Sequence, residues 1–327
     1  MITYLKIVLG CFLAWCLILN SGCSMDNKPA DTVSKNLVIQ NFDFNGNPVQ
    51  IPFSKVPERV IVARPEILDV MKALHVEKHI CAVYITKDRK NEIPELQKEM
   101  PNVTFYTQEL DRETALMCHP DFILGWRMSF RKGSLGDTAF WNERHIPTYI
   151  EENSGPVPAV TPFPPSTVES EIQFIRNLGQ IFHKTQEANE LVEDIKDALK
   201  EGRDLAANKP THKVITIEFM KDKIEVFGDK LLSGDIIQKL GSQNINYDIP
   251  FISREELRVC NADTIFIVYH EAPWEAENAL AKLQAPEYQA IPAVKNHRVF
   301  LLPYKNICAS HVHTAQTIRE IAKGLYS

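Results

Sequence analysis

The chain reads as an α/β protein of two lobes joined by a long helix, and three observations predict this. First, the stretch 111–128, DRETALMCHPDFILGWRM, partly recurs at 253–270 as SREELRVCNADTIFIVYH. Both copies read cap, Arg, Glu, four residues, Cys, two residues, Asp, one residue, Ile. Each predicts a short capped helix, a turn and a brief apolar run suited to a buried parallel strand. Second, an amphipathic run from Glu187 to Ala207 lies between the copies. A helix of some twenty residues spans about 30 Å, enough to cross between lobes. Third, short apolar runs alternate with helical patterns before that run, and a second set begins after it at Lys213–Ile217, as a doubly wound arrangement requires.

Taken in order, Lys6 and the apolar run Ile7–Leu19 precede Asn20-Ser21-Gly22-Cys23. Residues 1–22 read as a secretory leader. Gly22-Cys23 marks Cys23 as a lipidated N-terminus, although Asn20 stands where such sites usually carry Leu. Residues 23–36 then form a polar tether. Residues 37–165 make the first lobe. It opens with a hairpin whose Asn45-Gly46 suits a tight primed turn. Next comes a strand at Arg59–Ala63 and a helix from about Glu66, with Pro65 in its first turn. Further strands are predicted at Ile80–Tyr84, Val103–Tyr106 and Pro147–Ile150, and a helix ending at Trp141–His145. The proline-rich 156–165 leaves the lobe. Residues 166–208 are connecting helices, Glu169–Phe182 and the long run. Residues 209–327 form the second lobe, with a helix at Ser233–Gly241 capped by Ser233, a last strand at Val299–Leu302 and a last helix at Thr314–Leu325.

Hydrophobic content of 44% and charged content of 24% are ordinary for a globular chain. A net charge of -6 argues against nucleic-acid binding. No phosphate loop, dinucleotide fingerprint, zincin motif or elbow serine is present. No nucleophile–base–orienter set is visible either, so the chain does not read as an enzyme. Four of the seven cysteines lie beyond the leader: Cys81, Cys118, Cys260 and Cys308. Their spacing excludes a zinc ribbon and leaves open whether any two form a disulfide. Cys118 and Cys260 hold matching places and read as buried thiols.

PERVIV with its following helix, ETALMCHPDFILGW, NLGQIF before the long helix, ISREEL…ADTIFIV and AIPAVKNHRVFLLP occur in that order. In this the chain resembles the substrate-binding lipoproteins of iron-chelate, haem and cobalamin ABC importers. The resemblance covers nearly the whole mature chain. It implies two Rossmann-like lobes with a central cleft, joined by a single long rigid helix, and a monomer without enzymatic activity. It also implies that Glu113 and Glu255, matched in the two copies, dock the lobes onto an ABC permease dimer. Ala262-Asp263 departs from the usual Pro-Asp.

Ligands bind open α/β sheets beyond the carboxyl ends of the strands. In the first lobe this selects Arg64, Arg127 and Arg131, whose planar forks suit carboxylate or catecholate oxygens. In the second it selects Tyr269, His270 and Trp274, with Tyr304 and His311 before the last helix. No metal site intrinsic to the protein is expected. His311, His313 or Tyr304 would touch metal only through a bound chelate. Arginines beside Tyr and His point to a ferric siderophore or similar iron chelate. Haem or a corrinoid is the second reading, and bare zinc or manganese the third. The resulting expectation is an extracytoplasmic receptor held at the membrane by its lipid.

Overall fold

The computed structural model describes residues 37–87, 89–154, 164–270, 273–307 and 311–327. The leader, Cys23, the tether, Cys308 and most of the proline-rich run lie outside the described residues.

An antiparallel hairpin of β1 (Leu37–Phe42) and β2 (Pro48–Phe53) comes first. Its loop is five residues long, not a two-residue primed turn. Asp43 closes it: one carboxylate oxygen accepts from the Asn45 and Asn47 amides at 2.8 and 2.9 Å, and Gly46 alone takes a positive φ. Then follow β3 (Val60–Val62), α1 (Pro65–Ala73), β4 (Ile80–Tyr84), α2 (Ile93–Glu99) and β5 (Thr104–Tyr106). The lobe ends with α3 (Arg112–Met117), β6 (Phe122–Gly125), α4 (Thr138–Asn142) and β7 (Thr148–Ile150). The five strands from β3 to β7 pair in parallel in the order β5-β4-β3-β6-β7. The order reverses between β3 and β6, so the crevice at their carboxyl ends is the expected ligand position.

The passage to the second sheet uses two helices, α5 (Val168–Ile181) and α6 (Thr185–Ala206). The second lobe runs β8 (Lys213–Phe219), β9 (Ile224–Val226), α7 (Leu232–Lys239), β10 (Gln243–Asn244), β11 (Phe251–Ile252) and α8 (Arg254–Arg258). It continues with β12 (Thr264–Tyr269), α9 (Pro273–Leu283), α10 (Pro292–Lys295), β13 (Val299–Pro303), α11 (Tyr304–Ile307) and α12 (Thr314–Tyr326). Its sheet order is β11-β9-β8-β12-β13, with β10 beside β8. The reversal falls between β8 and β12, which are parallel. Ser233 lies inside α7, whose N-cap is Leu231 without a side-chain bond, while Gly241 ends it at positive φ as its position suggests.

The sequence repeat is a structural repeat. Asp111 and Ser253 cap their helices by accepting from the Thr114 and Glu256 amides at 2.8 and 3.1 Å, and Ser253 with Glu256 completes a capping box. The Asp of each copy then ties its strand to the neighbouring one. Asp121 accepts from the Arg59 amide at 2.8 Å beside β3, and Asp263 from the Lys213 amide at 2.9 Å at the start of β8.

Alternation along the strands divides the core. Val60 and Val62 face one way with Phe266 and Val268 of the other lobe, in a single core that runs through α5, α6 and α12. Ile61 and Ile123 face a separate cluster on the outer side of the first sheet, and Ile265 and Ile267 one on the outer side of the second. The lobes therefore share packed apolar contents, not merely a linking segment. The two connecting helices meet closely at Gly179, where an added Cβ would stand 2.4 Å from the Ala188 Cβ of α6. The Ala188 Cβ has no rotamer to move to, so Gly179→Ala is expected to cost about 1–3 kcal/mol in urea unfolding. A gain of up to about 1 kcal/mol, as helix propensity alone would give, would contradict that packing.

Candidate functional site

At the carboxyl end of the first sheet, β7 leads into Glu151-Glu152-Asn153-Ser154, four consecutive buried polar residues. Buried polar groups must find partners, and the partners of this run assemble the centre of the molecule. Arg64, which follows β3 and N-caps α1, binds Glu151 through Nη1 and Glu66 through Nε at 2.8 Å. Its guanidinium also lies 5.2 Å from the Trp126 ring centroid. The other oxygen of Glu151 receives His311 Nε2 at 2.9 Å. His311 Nδ1 and its backbone amide both reach one oxygen of Glu171, at 2.8 and 2.5 Å. The remaining oxygen of Glu171 accepts from Asn153. The imidazole stacks on Phe174 with centroids 4.3 Å apart and is 1% exposed. Its backbone takes φ +41°, a left-handed conformation that bulky residues rarely adopt.

Burial opposes charge on His311, but the negative charges of Glu171 and Glu151 and their hydrogen bonds outweigh it and push the pKa up to about 10. Burial likewise raises Glu171, and the His311 charge more than reverses this, holding it below the ordinary carboxylate range. Next in the chain, Glu152 is pushed up to about 8 by burial. It accepts from the Tyr149 hydroxyl at 2.5 Å, which in turn accepts from Asn177 at 2.7 Å. His311 belongs to the second lobe, Glu151 to the first and Glu171 to the first connecting helix, so one protonated ring links all three.

The second sheet offers a different surface at its own reversal point. His270, directly after β12, is 53% exposed and brings Nε2 within 3.2 Å of Glu218 Oε1 on β8. Its ring stacks on Tyr304, which follows β13, with centroids 4.5 Å apart and planes 22° from parallel. Three adjacent strand ends thus present a carboxylate, an imidazole and a phenol together.

The remaining sequence candidates are dispersed. Arg127 is 4% exposed, and its Nε donates to the Phe44 carbonyl of the hairpin loop at 2.9 Å. Arg131 pairs with Glu109 at 2.5 Å. Tyr269 ends β12 opposite Pro303. Trp274 lies in α9, and its side chain is outside the described residues. His313 is partly buried, and burial lowers its pKa. Glu113 and Glu255 stand exposed in the first turns of α3 and α8. Cys81, Cys118 and Cys260 are free thiols. Among the described residues no group of three or more His, Cys, Asp or Glu is placed to hold a metal ion. Among them, too, no helix is long and apolar enough to cross a membrane.

A sequence profile described as "Periplasmic binding protein" matches residues 60–305. The chain belongs to the periplasmic binding protein family. Proteins of this class bind small substrates for transport and do not transform them. Among curated proteins no sequence relative is found. A solved periplasmic binding protein from Veillonella parvula is 26% identical, with a TM-score of 0.77 over 89% of this chain and 92% of that one. The petrobactin-binding protein YclQ of Bacillus subtilis shares the fold at 18% identity and TM-score 0.63, over 90% and 99% of the two chains. So does IsdE of S. aureus, solved with haem, at 20% identity and TM-score 0.60, over 82% and 99%.

In this periplasmic binding protein the sequence candidates Arg64 and His311 meet on one carboxylate, and His270 and Tyr304 meet ring to ring. Glu151 and Glu171 were not singled out from the sequence. Glu151 was within reach, since it directly follows a predicted strand, whereas Glu171 looks like any acidic residue in a first helical turn. The raised pKa of His311 sets a pH dependence. Its contribution to stability is complete below the unfolded value near 6.5 and is lost as pH rises through about 10. His311→Gln should therefore cost about 3–5 kcal/mol at neutral pH by stranding buried carboxylates. In urea unfolding across pH, its deficit against the native protein should narrow between these limits. A deficit constant with pH would show that the ring acts uncharged.

Proposed function

We propose that this periplasmic binding protein is the membrane-tethered receptor of an ABC importer, capturing a ferric siderophore or similar iron chelate and delivering it to the permease. The observation that carries the ligand class is the Glu218–His270–Tyr304 group at the reversal point of the second sheet. Imidazole, phenol and carboxylate are all competent iron ligands. A stacked aromatic pair also supplies a flat apolar face for a planar or aromatic chelate. The petrobactin-binding and haem-bound proteins of the same fold support that ligand class. The first lobe supports a smaller role than its arginines suggest. Arg64 is matched by Glu66 and Glu151, and Arg131 by Glu109, so these two arginines keep little positive charge to attract an anion.

Haem or a corrinoid is the second reading. The stacked His270 and Tyr304 favour it, since an imidazole beside a broad aromatic ledge suits axial ligation of a macrocycle. Membrane attachment would be through lipid on Cys23, and docking through Glu113 and Glu255, one on each lobe.

Tryptophan-fluorescence titration against a panel of ferric siderophores and haemin tests the reading. At least one iron chelate should bind, and His270→Ala should weaken it by about 1.5–3 kcal/mol, the range for bonds to charged groups. A visible Soret band on binding would select haem. Absence of binding to every iron compound, or an unchanged affinity in the variant, would contradict the proposal.

A further inference from the structure

The two most exposed large apolar side chains among the described residues are Met117, at 78%, and Val259, at 83%. A single exposed apolar residue is ordinary. What distinguishes these two is their position. Aligning the repeat from Asp111 and Ser253 places Met117 opposite Val259, just as it places Glu113 opposite Glu255. The inward-facing positions match as well: Ala115 and Leu257 are both fully buried. So the two copies share an outward pair, an acidic residue and, four positions later, an apolar one, although Glu255 also pairs with Arg258 at 2.8 Å where the first copy carries Leu116. Residues four apart lie on one face of a helix. Each copy thus shows a carboxylate beside an uncovered apolar tip.

We propose that Met117 and Val259 are apolar docking pegs that seat the two lobes on the two like subunits of the permease, each beside its glutamate. This rests on the importer reading above and adds the chemistry of the contact. A cationic partner side chain fits Glu113 or Glu255, and a small apolar pocket next to it fits the neighbouring peg. Because the pattern occurs once per lobe, the partner presents the same half-site twice, as a two-fold dimer does. An apolar contact ringed by charge is also the usual layout of an energetic centre in a protein interface. Charge pairs at such a rim mainly steer and orient, so the pegs hold the complex when salt screens the glutamates.

The test uses the full chain and the iron-chelate ABC permeases of its source organism, each reconstituted in lipid nanodiscs, with binding followed at low and at high salt. Met117→Ser and Val259→Ser should each weaken docking about tenfold, roughly 1.4 kcal/mol, and the double variant more. The loss should persist at high salt, whereas the loss from Glu113→Gln and Glu255→Gln should shrink. Chelate affinity and melting temperature should stay at the native values. Undiminished docking by the double variant, or a loss that vanishes at high salt, would overturn the peg assignment alone. Self-association of the native chain that the double variant abolishes would overturn it in favour of a second copy of this chain. A native protein that binds chelate but docks on none of these permeases would overturn the importer reading and the pegs with it.

Discussion

A protonated imidazole held between two buried carboxylates is the constraint on which the centre of this protein depends. Glu151 closes the first sheet, Glu171 lies in the first turn of α5, and His311 enters α12 from the second lobe. Two carboxylates buried without a cation would carry a large desolvation penalty. The cation that answers them comes from the far end of the chain. The charge on His311 is therefore also a tie between lobes, and Arg64 completes it on the remaining oxygen of Glu151. The left-handed backbone at His311 fits this account. The turn gives up a favourable conformation so that amide and ring reach the same carboxylate.

The same charges bear on the proposed ligand site. Arg64 stands at the sheet position where an anion would be bound, and it is occupied by the protein's own carboxylates. Arg127 supports the hairpin loop instead. In the proposed reading, recognition falls to the second sheet, where His270 and Tyr304 stay partly open to solvent. The outward faces of the repeated helices leave Met117 and Val259 exposed, apart from the strand ends that carry His270 and Tyr304.

Much of the fold was legible in the sequence because it rests on local patterns. The parallel strands appear as short apolar runs, α6 as a sustained amphipathic period, and the repeated caps as Asp or Ser ahead of Arg-Glu. The two local errors have local causes. Asp43 reaches forward and lengthens a turn that Asn45-Gly46 seemed to define, and Leu231 starts α7 before the serine that looks like its cap. The site was legible only in part. Strand-end position identified Arg64, His270 and Tyr304, but no sequence spacing announces that Glu171 and His311, 140 positions apart, share a bond. The sequence places His311 and His313 only ahead of the last helix. In the structure they form a 3-10 turn that turns one ring fully inward.

Nitrogen-15 NMR of the His311 ring tests the central interaction most directly. At about pH 8.5 an ordinary histidine is neutral, whereas His311 lies below its raised pKa of about 10. Both ring nitrogens should then carry protons, with the shifts of an imidazolium donating to Glu171 and Glu151. A ring protonated on one nitrogen alone at that pH would contradict the charged tie between the lobes.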